Sequence, residues 1–161
     1  MYRSFAVALF ALLAFTVAPL TADDKAADKP EDVNKADLEK LQGVWIVAKG
    51  EAGGQEVPKE FLTSIVLTFE GEKYTVEGTP DGKQSGEVKI DATKEIKEMT
   101  VEPKEGSNAG MATKTIYKFD EEKLVVCYDL SNAGFPKEFK SAEGEPYMLI
   151  TYERKKEAEK K

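Results

Sequence analysis

From Val44 onward apolar and polar positions alternate with a period of two, as in strands that bury one face and wet the other. The pattern predicts strands over Val44–Lys49, Ile65–Glu70, Lys73–Gly78, Gly86–Asp91, Ile96–Glu102, Lys114–Phe119, Leu124–Tyr128 and Tyr147–Glu153. Turn-forming residues separate several of them: Glu70-Gly71, Pro80-Asp81-Gly82 and Asp120 to Lys123. Pro58 to Ser64 predicts a short helical turn with Pro58 near its start. Short strands in this rhythm predict a mainly β chain, folded as an antiparallel sandwich or barrel.

The turns also predict which side chains share a face, because directly opposed residues of an antiparallel pair point the same way. A two-residue turn at Gly71-Glu72 sets Phe69 against Tyr74 and Leu67 against Val76. A hairpin centred on Gly82 sets Tyr74 against Ile90 and Val76 against Val88. A turn at Glu121-Glu122 sets Phe119 against Leu124 and Tyr117 against Val126. Each pairing joins apolar with apolar, and Thr68, Lys73, Thr75, Lys89 and Lys118 fall on the other face. Phe69, Tyr74, Tyr117, Phe119, Tyr128 and Tyr152 are therefore the candidate interior aromatics, able to line a site for an apolar ligand. By the same parity Cys127 points outward with Ile116 and Val125, a small patch expected to be covered by the helix that precedes the strands.

In that helix Leu38 and Leu41 lie three apart on one face, Asn34 is the expected N-cap and Gly43 the stop. Further upstream the periodicity is lost. Residues 1–22 carry Arg3, an apolar run from Phe5 to Val17, Pro19 and then Leu20-Thr21-Ala22, the three-part pattern of a cleaved secretory signal. A run of this length is too short to span a bilayer, which takes about 20 residues, so no integral membrane segment is expected after cleavage. Residues 23–36 are charged and Ala- and Pro-containing, and read as a disordered linker. The folded domain is placed at 37–155, with a polar tail at 156–161. The product is expected to be exported, either periplasmic or secreted.

Composition narrows the chemistry. The formal net charge is −7, the wrong sign for nucleic acid or for an anionic membrane surface. There is no histidine, which excludes a Ser-His-Asp or Cys-His nucleophile, a His-ligated haem and a His-bearing zinc site. The single cysteine, Cys127, cannot form an internal disulfide, and its place in an apolar run predicts burial. Thirty acidic residues make chance carboxylate pairs unavoidable, and nearly all lie in turns or on the outer face. No catalytic residue, metal site or cofactor is assigned, and the expectation is a protein that is not an enzyme. Two similar segments, Ser107-Asn108-Ala109-Gly110 and Ser131-Asn132-Ala133-Gly134, lie in long connections; on a common rim they would shape a mouth, and as flexible loops they need no such role.

The stretch Leu41-Gln42-Gly43-Val44-Trp45 resembles the Gly-x-Trp opening of lipocalin-type barrels. LQGVWIV (41–47), GGQEVPKEFL (53–62), LTFEGEKYTV (67–76), IDATKEIKEM (90–99), IYKFDEEKLVVCYD (116–129) and FPKEFKS (135–141) together resemble a lipocalin-like domain of unknown function expanded in planctomycete bacteria. The resemblance covers about residues 37–155 and departs from the usual pattern at Thr115, where the family has glycine, and at Ala92, where it has proline. It implies a lipocalin-like up-and-down antiparallel β-barrel of about eight strands with a short N-terminal helix. It also implies structural roles for Gly43 and Trp45, with Trp45 packing across one end. It brings no activity with it. A barrel of this size is at the boundary between a filled interior and one that holds a small molecule. The many large inward side chains tip the expectation toward filling. Two functions stay open: an exported carrier of a small apolar ligand, or a packed barrel whose rim or outer face meets an extracytoplasmic protein or envelope component.

Overall fold

A computed structural model describes residues 29–156; the expected signal segment, the first part of the expected linker and the end of the polar tail lie outside the described residues. One helix, α1 (Pro30–Leu41), precedes nine strands: β1 (Gly43–Ala52), β2 (Gln55–Glu56), β3 (Val66–Glu70), β4 (Lys73–Thr79), β5 (Gly82–Asp91), β6 (Glu98–Glu105), β7 (Thr113–Asp120), β8 (Lys123–Asp129) and β9 (Tyr147–Arg154). A 3-10 turn at Lys59–Phe61 occupies the expected helical stretch after Pro58. β1 pairs antiparallel with β3, each strand from β3 to β9 pairs antiparallel with the next, and β1 pairs with β9, so the sheet closes on itself. Apart from β2, a two-residue addition to the end of β1, the result is an eight-stranded up-and-down barrel with one short helix. Closure leaves no long strand edge unpaired.

Two of the expected hairpins have the expected register: Phe69 faces Tyr74, Leu67 faces Val76, Phe119 faces Leu124 and Tyr117 faces Val126. The β4–β5 hairpin differs. It turns at Pro80-Asp81, with Thr79 opposite Gly82, so Tyr74 faces Gly86 and Val76 faces Gln84. Proline's fixed φ suits the first central position of a tight turn, and Pro80 outweighs Gly82 as the centre. The offset is an even number of residues, so every side chain keeps its expected face. Gly86 also lies against a bulge in β6, where a Cβ would stand 2.1 Å from the Glu102 carbonyl oxygen. Only glycine permits that approach.

The helix begins at Pro30, so residues 30–36 belong to the folded unit and not to a disordered linker. Proline fits the first helical position, and Glu31 and Asp32 in the first turn oppose the helix dipole. Asn34 is not the N-cap. It lies inside the helix, where its Oδ1 accepts the Ala92 N–H at 2.8 Å. A proline at 92 would lack that N–H, which gives the alanine a physical reason in this chain.

α1 covers one end of the barrel, a second difference from expectation. Leu41 is fully buried in the central core with Trp45, Leu67, Phe69 and Tyr117, and Leu38 packs against the same cluster. Burying one such leucine is worth roughly 1.5–3 kcal/mol. The outward patch of Ile116, Val125 and Cys127 is covered instead by the chain between β8 and β9. Lys140 O accepts the Cys127 thiol at 3.6 Å, and the Phe135 and Phe139 rings receive the outward ammonium groups of Lys114 and Lys118. Two Leu residues on a helix could satisfy either site, but polar bonds from Asn34 and Asp37 decide for the end.

Candidate functional site

The two ends of the barrel differ. At the helix end, Gly43 (φ +108°) turns the chain from α1 into β1 and brings Trp45 beneath the last helical turn. Trp45 is 1% exposed, its Nε1 donates to Leu41 O at 2.7 Å, and the Arg154 guanidinium stacks 4.2 Å from its ring. Arg154 also donates to the Gln42 and Lys40 carbonyls, satisfying C-terminal helix oxygens that have no intrahelical partner. Asp37, buried, accepts the Tyr117 hydroxyl at 3.0 Å and Lys97 Nζ at 2.6 Å. Burial, and then the Asp37 charge, raises the Tyr117 phenol far above its ordinary pKa. Tyr117 and Phe119 pack edge to face with centroids 6.0 Å apart. This end is solid.

Above it the interior opens into a cavity of about 480 Å³. The expectation of a filled barrel is corrected. Tyr117, Phe119 and Trp45 crowd the helix end, while the middle and mouth carry Val76, Val88, Val101 and Met148, which leave space between them. Of the six expected interior aromatics, Phe69, Tyr74, Tyr128 and Tyr152 line the cavity; Tyr117 and Phe119 do not. Its volume is within the usual range for a small-molecule site, about 300–1,000 Å³. No charged side chain lines it. The polar lining is made of three tyrosines and the neutral Thr79, Gln84, Asn108 and Thr113.

The three phenols differ in their partners. Tyr128 and Tyr152 hydroxyls meet at 2.9 Å. The two rings come from adjacent strands: Tyr128 is opposite Met148 toward the mouth, and Tyr152 opposite Leu124 toward the helix. Burial pushes Tyr152 up to about 12, against the pull of its bond to Tyr128, and raises Tyr128 well above its ordinary value, reinforced by Tyr152. Burial alone takes Tyr74 to about 12. All three stay neutral donors at any ordinary pH.

The mouth is built by four connections: the 3-10 turn, the Pro80-Asp81 turn, and the β6–β7 and β8–β9 loops. The two Ser-Asn-Ala-Gly segments thus lie at the same end. Asn108 of the first donates to Gln84 of the neighbouring strand at 3.3 Å, at the edge of the mouth. The second is tied down by Asp129, whose carboxylate accepts Ser131 N–H, Ser131 O–H and Gly134 N–H. Burial alone would raise Asp129, but these bonds outweigh it and hold the carboxyl below its usual range. Phe61, Leu130 and Met111 are 61%, 59% and 56% exposed on these connections, and Phe61 and Leu130 reach into the cavity. Sequence periodicity missed them because they lie outside the strands.

A second hollow of about 610 Å³ lies on the outer face of β3 to β6. Its lysines and glutamates pair with one another, Lys83 with Glu77 at 2.9 Å and Lys104 with Glu87 at 3.4 Å, which makes it a solvated polar surface. Among the described residues no cluster of His, Cys, Asp or Glu could hold a metal ion, and no helix is long and apolar enough to cross a membrane. Cys127 is buried and its thiol pKa is raised by that burial. No protein-family model, no curated protein and no solved structure matches the chain.

Proposed function

We propose that this chain is an exported carrier that holds a small, neutral, mainly apolar molecule inside its barrel. The observation that carries the reading is the cavity: about 480 Å³, open at one end, with no charged residue in its lining. Packed at densities between those of an organic liquid and a protein core, it would take roughly 12–20 non-hydrogen atoms. The apolar signal-like segment before the domain and the resemblance to planctomycete lipocalin-like domains agree with a ligand met outside the cytoplasm. No nucleophile–base constellation accompanies the cavity, so the reading is binding without chemistry.

The test is titration with N-phenylnaphthylamine, a neutral fluorophore of suitable size, alongside native mass spectrometry of protein purified from its own host. A blue-shifted saturable signal in the micromolar range and a retained neutral mass are expected. No saturable binding, with the bare polypeptide flying under gentle conditions, overturns the carrier reading. A second reading, contact of the rim with an extracytoplasmic protein, is favoured by the exposure of Phe61, Met111 and Leu130 around the mouth. Changing Met111, which does not line the cavity, to serine would weaken such a contact while leaving the inner walls in place.

A further inference from the structure

We propose that the Tyr128–Tyr152 hydroxyl pair is a polar anchor inside the cavity, selecting neutral ligands that bear an oxygen acceptor such as a ketone, an ester or an alcohol. The inference rests on the carrier reading and adds the chemical class of the ligand.

The argument begins with hydrogen-bond arithmetic. Two phenols supply two O–H donors and four lone pairs. Their mutual bond at 2.9 Å uses one donor and one lone pair. One O–H and three lone pairs are then left without a partner among the described residues, although both side chains line the cavity. A hydroxyl whose proton is already aimed at its neighbour polarises that neighbour, which makes the remaining O–H a better donor. The pair therefore offers one proton to whatever occupies the space, in surroundings made mainly of Val, Leu, Ile, Met and Phe.

The rest of the lining narrows the choice. An anion would be buried with no cationic side chain to meet it, and a cation with no carboxylate. Burial holds both phenols protonated, Tyr152 with a pKa of about 12, so the anchor stays a donor and never becomes a charge. A pure hydrocarbon fits the walls but leaves the spare O–H unpaired. A neutral molecule with one acceptor oxygen satisfies both. The neutral polar groups near the mouth, Gln84 and Asn108, bond to each other, and Tyr74 adds a third phenol to the lining; the Tyr128–Tyr152 pair is where two hydroxyls meet and polarise one another.

The experiment displaces N-phenylnaphthylamine from the intact protein with dodecane, decyl methyl ketone and dodecanoate, using wild type, Y128F, Y152F and the double variant. Removing a hydroxyl from a tyrosine keeps the ring and its packing, and Trp45 fluorescence, from the helix end of the barrel, checks that each variant folds. In the double variant the ketone is expected to lose about 3- to 10-fold in affinity relative to dodecane, the range for one neutral hydrogen bond. Dodecanoate at pH 8 is expected to bind more than about tenfold more weakly than the ketone in wild type. A ketone-to-alkane ratio unchanged in the double variant, or in both single variants should the double fail to fold, overturns the anchor while leaving the carrier reading intact. So does dodecanoate binding as tightly as the ketone. If wild type does not bind the fluorophore or any of the three, the carrier reading falls and this inference with it.

Discussion

Replacing Asp37 with alanine tests whether the helix is held to the barrel by its buried carboxylate. The substitution removes the acceptor of the fully buried Tyr117 hydroxyl (3.0 Å) and the counter-ion of Lys97 (2.6 Å). A buried hydroxyl stripped of its partner costs about 1–3 kcal/mol. Lys97 keeps 31% of its side chain exposed and can turn its ammonium to water, so the lost ion pair adds only about 0–1 kcal/mol. Alanine's better helix propensity returns about 0.5 kcal/mol. The sum is a loss of about 0.5–3.5 kcal/mol, or a fall in Tm of roughly 2–14 °C for a domain of this size. Urea unfolding read by Trp45 is the natural assay, since this single tryptophan bonds to the last turn of the helix. Adding Tyr117→Phe to the alanine variant removes the orphaned hydroxyl and should recover about 1 kcal/mol, giving a coupling of about 1–2 kcal/mol in the cycle. A loss below about 0.5 kcal/mol, or additive single changes, would refute the reasoning: the helix would then be held by its other contacts, Leu38 and Leu41 foremost.

Three further outcomes are expected. Gly86→Ala should cost more than about 4 kcal/mol or prevent folding, because its Cβ would meet the Glu102 carbonyl at 2.1 Å, whereas Gly134→Ala, with nothing within 4 Å, should be near neutral in the same thermal melts. Asp129→Asn should flatten the acid limb of the stability curve. The folded pKa of Asp129 is depressed, so its contribution is complete above the unfolded value of about 3.9 and is lost as pH falls through the lower folded value. Urea midpoints between pH 2 and 5 check this, and identical acid limbs in the two proteins would count against it. Val76→Phe with Val101→Phe should fill the cavity, weakening N-phenylnaphthylamine binding by more than about tenfold while leaving Tm unchanged or raised. Undiminished binding would place the probe elsewhere.

Much of the barrel was legible because its strands alternate cleanly and several of its turns, Gly71-Glu72 and Pro80-Asp81 among them, carry glycine or proline at the tips. Parity alone assigned the faces correctly even at the β4–β5 hairpin, where the register was displaced, since an even shift preserves the alternation. Features held by single polar contacts were not legible. The first turns of α1 have no apolar period; Asn34 and Asp37 dock them through bonds to residues about sixty positions away. The cover over Cys127 comes from a connection without secondary structure, and the two lysine–phenylalanine contacts that anchor it leave no periodic mark. The cavity was hidden for another reason. Counting inward aromatics gives their number but not their height along the axis, and here Tyr117 and Phe119 gather at one end.

The separation of a solid end from a hollow one has an evolutionary consequence. Substitutions at the mouth fall on turns and loop residues that contribute little to the closed core, so they can reshape the opening without drawing on the stability that keeps the chain folded. The helix end tolerates little, because Trp45, Asp37, Tyr117 and Arg154 depend on one another. Duplicated copies of such a gene would be expected to diverge unevenly, constant around the helix and inventive around the opening. A lineage would in that way carry many different openings on one barrel.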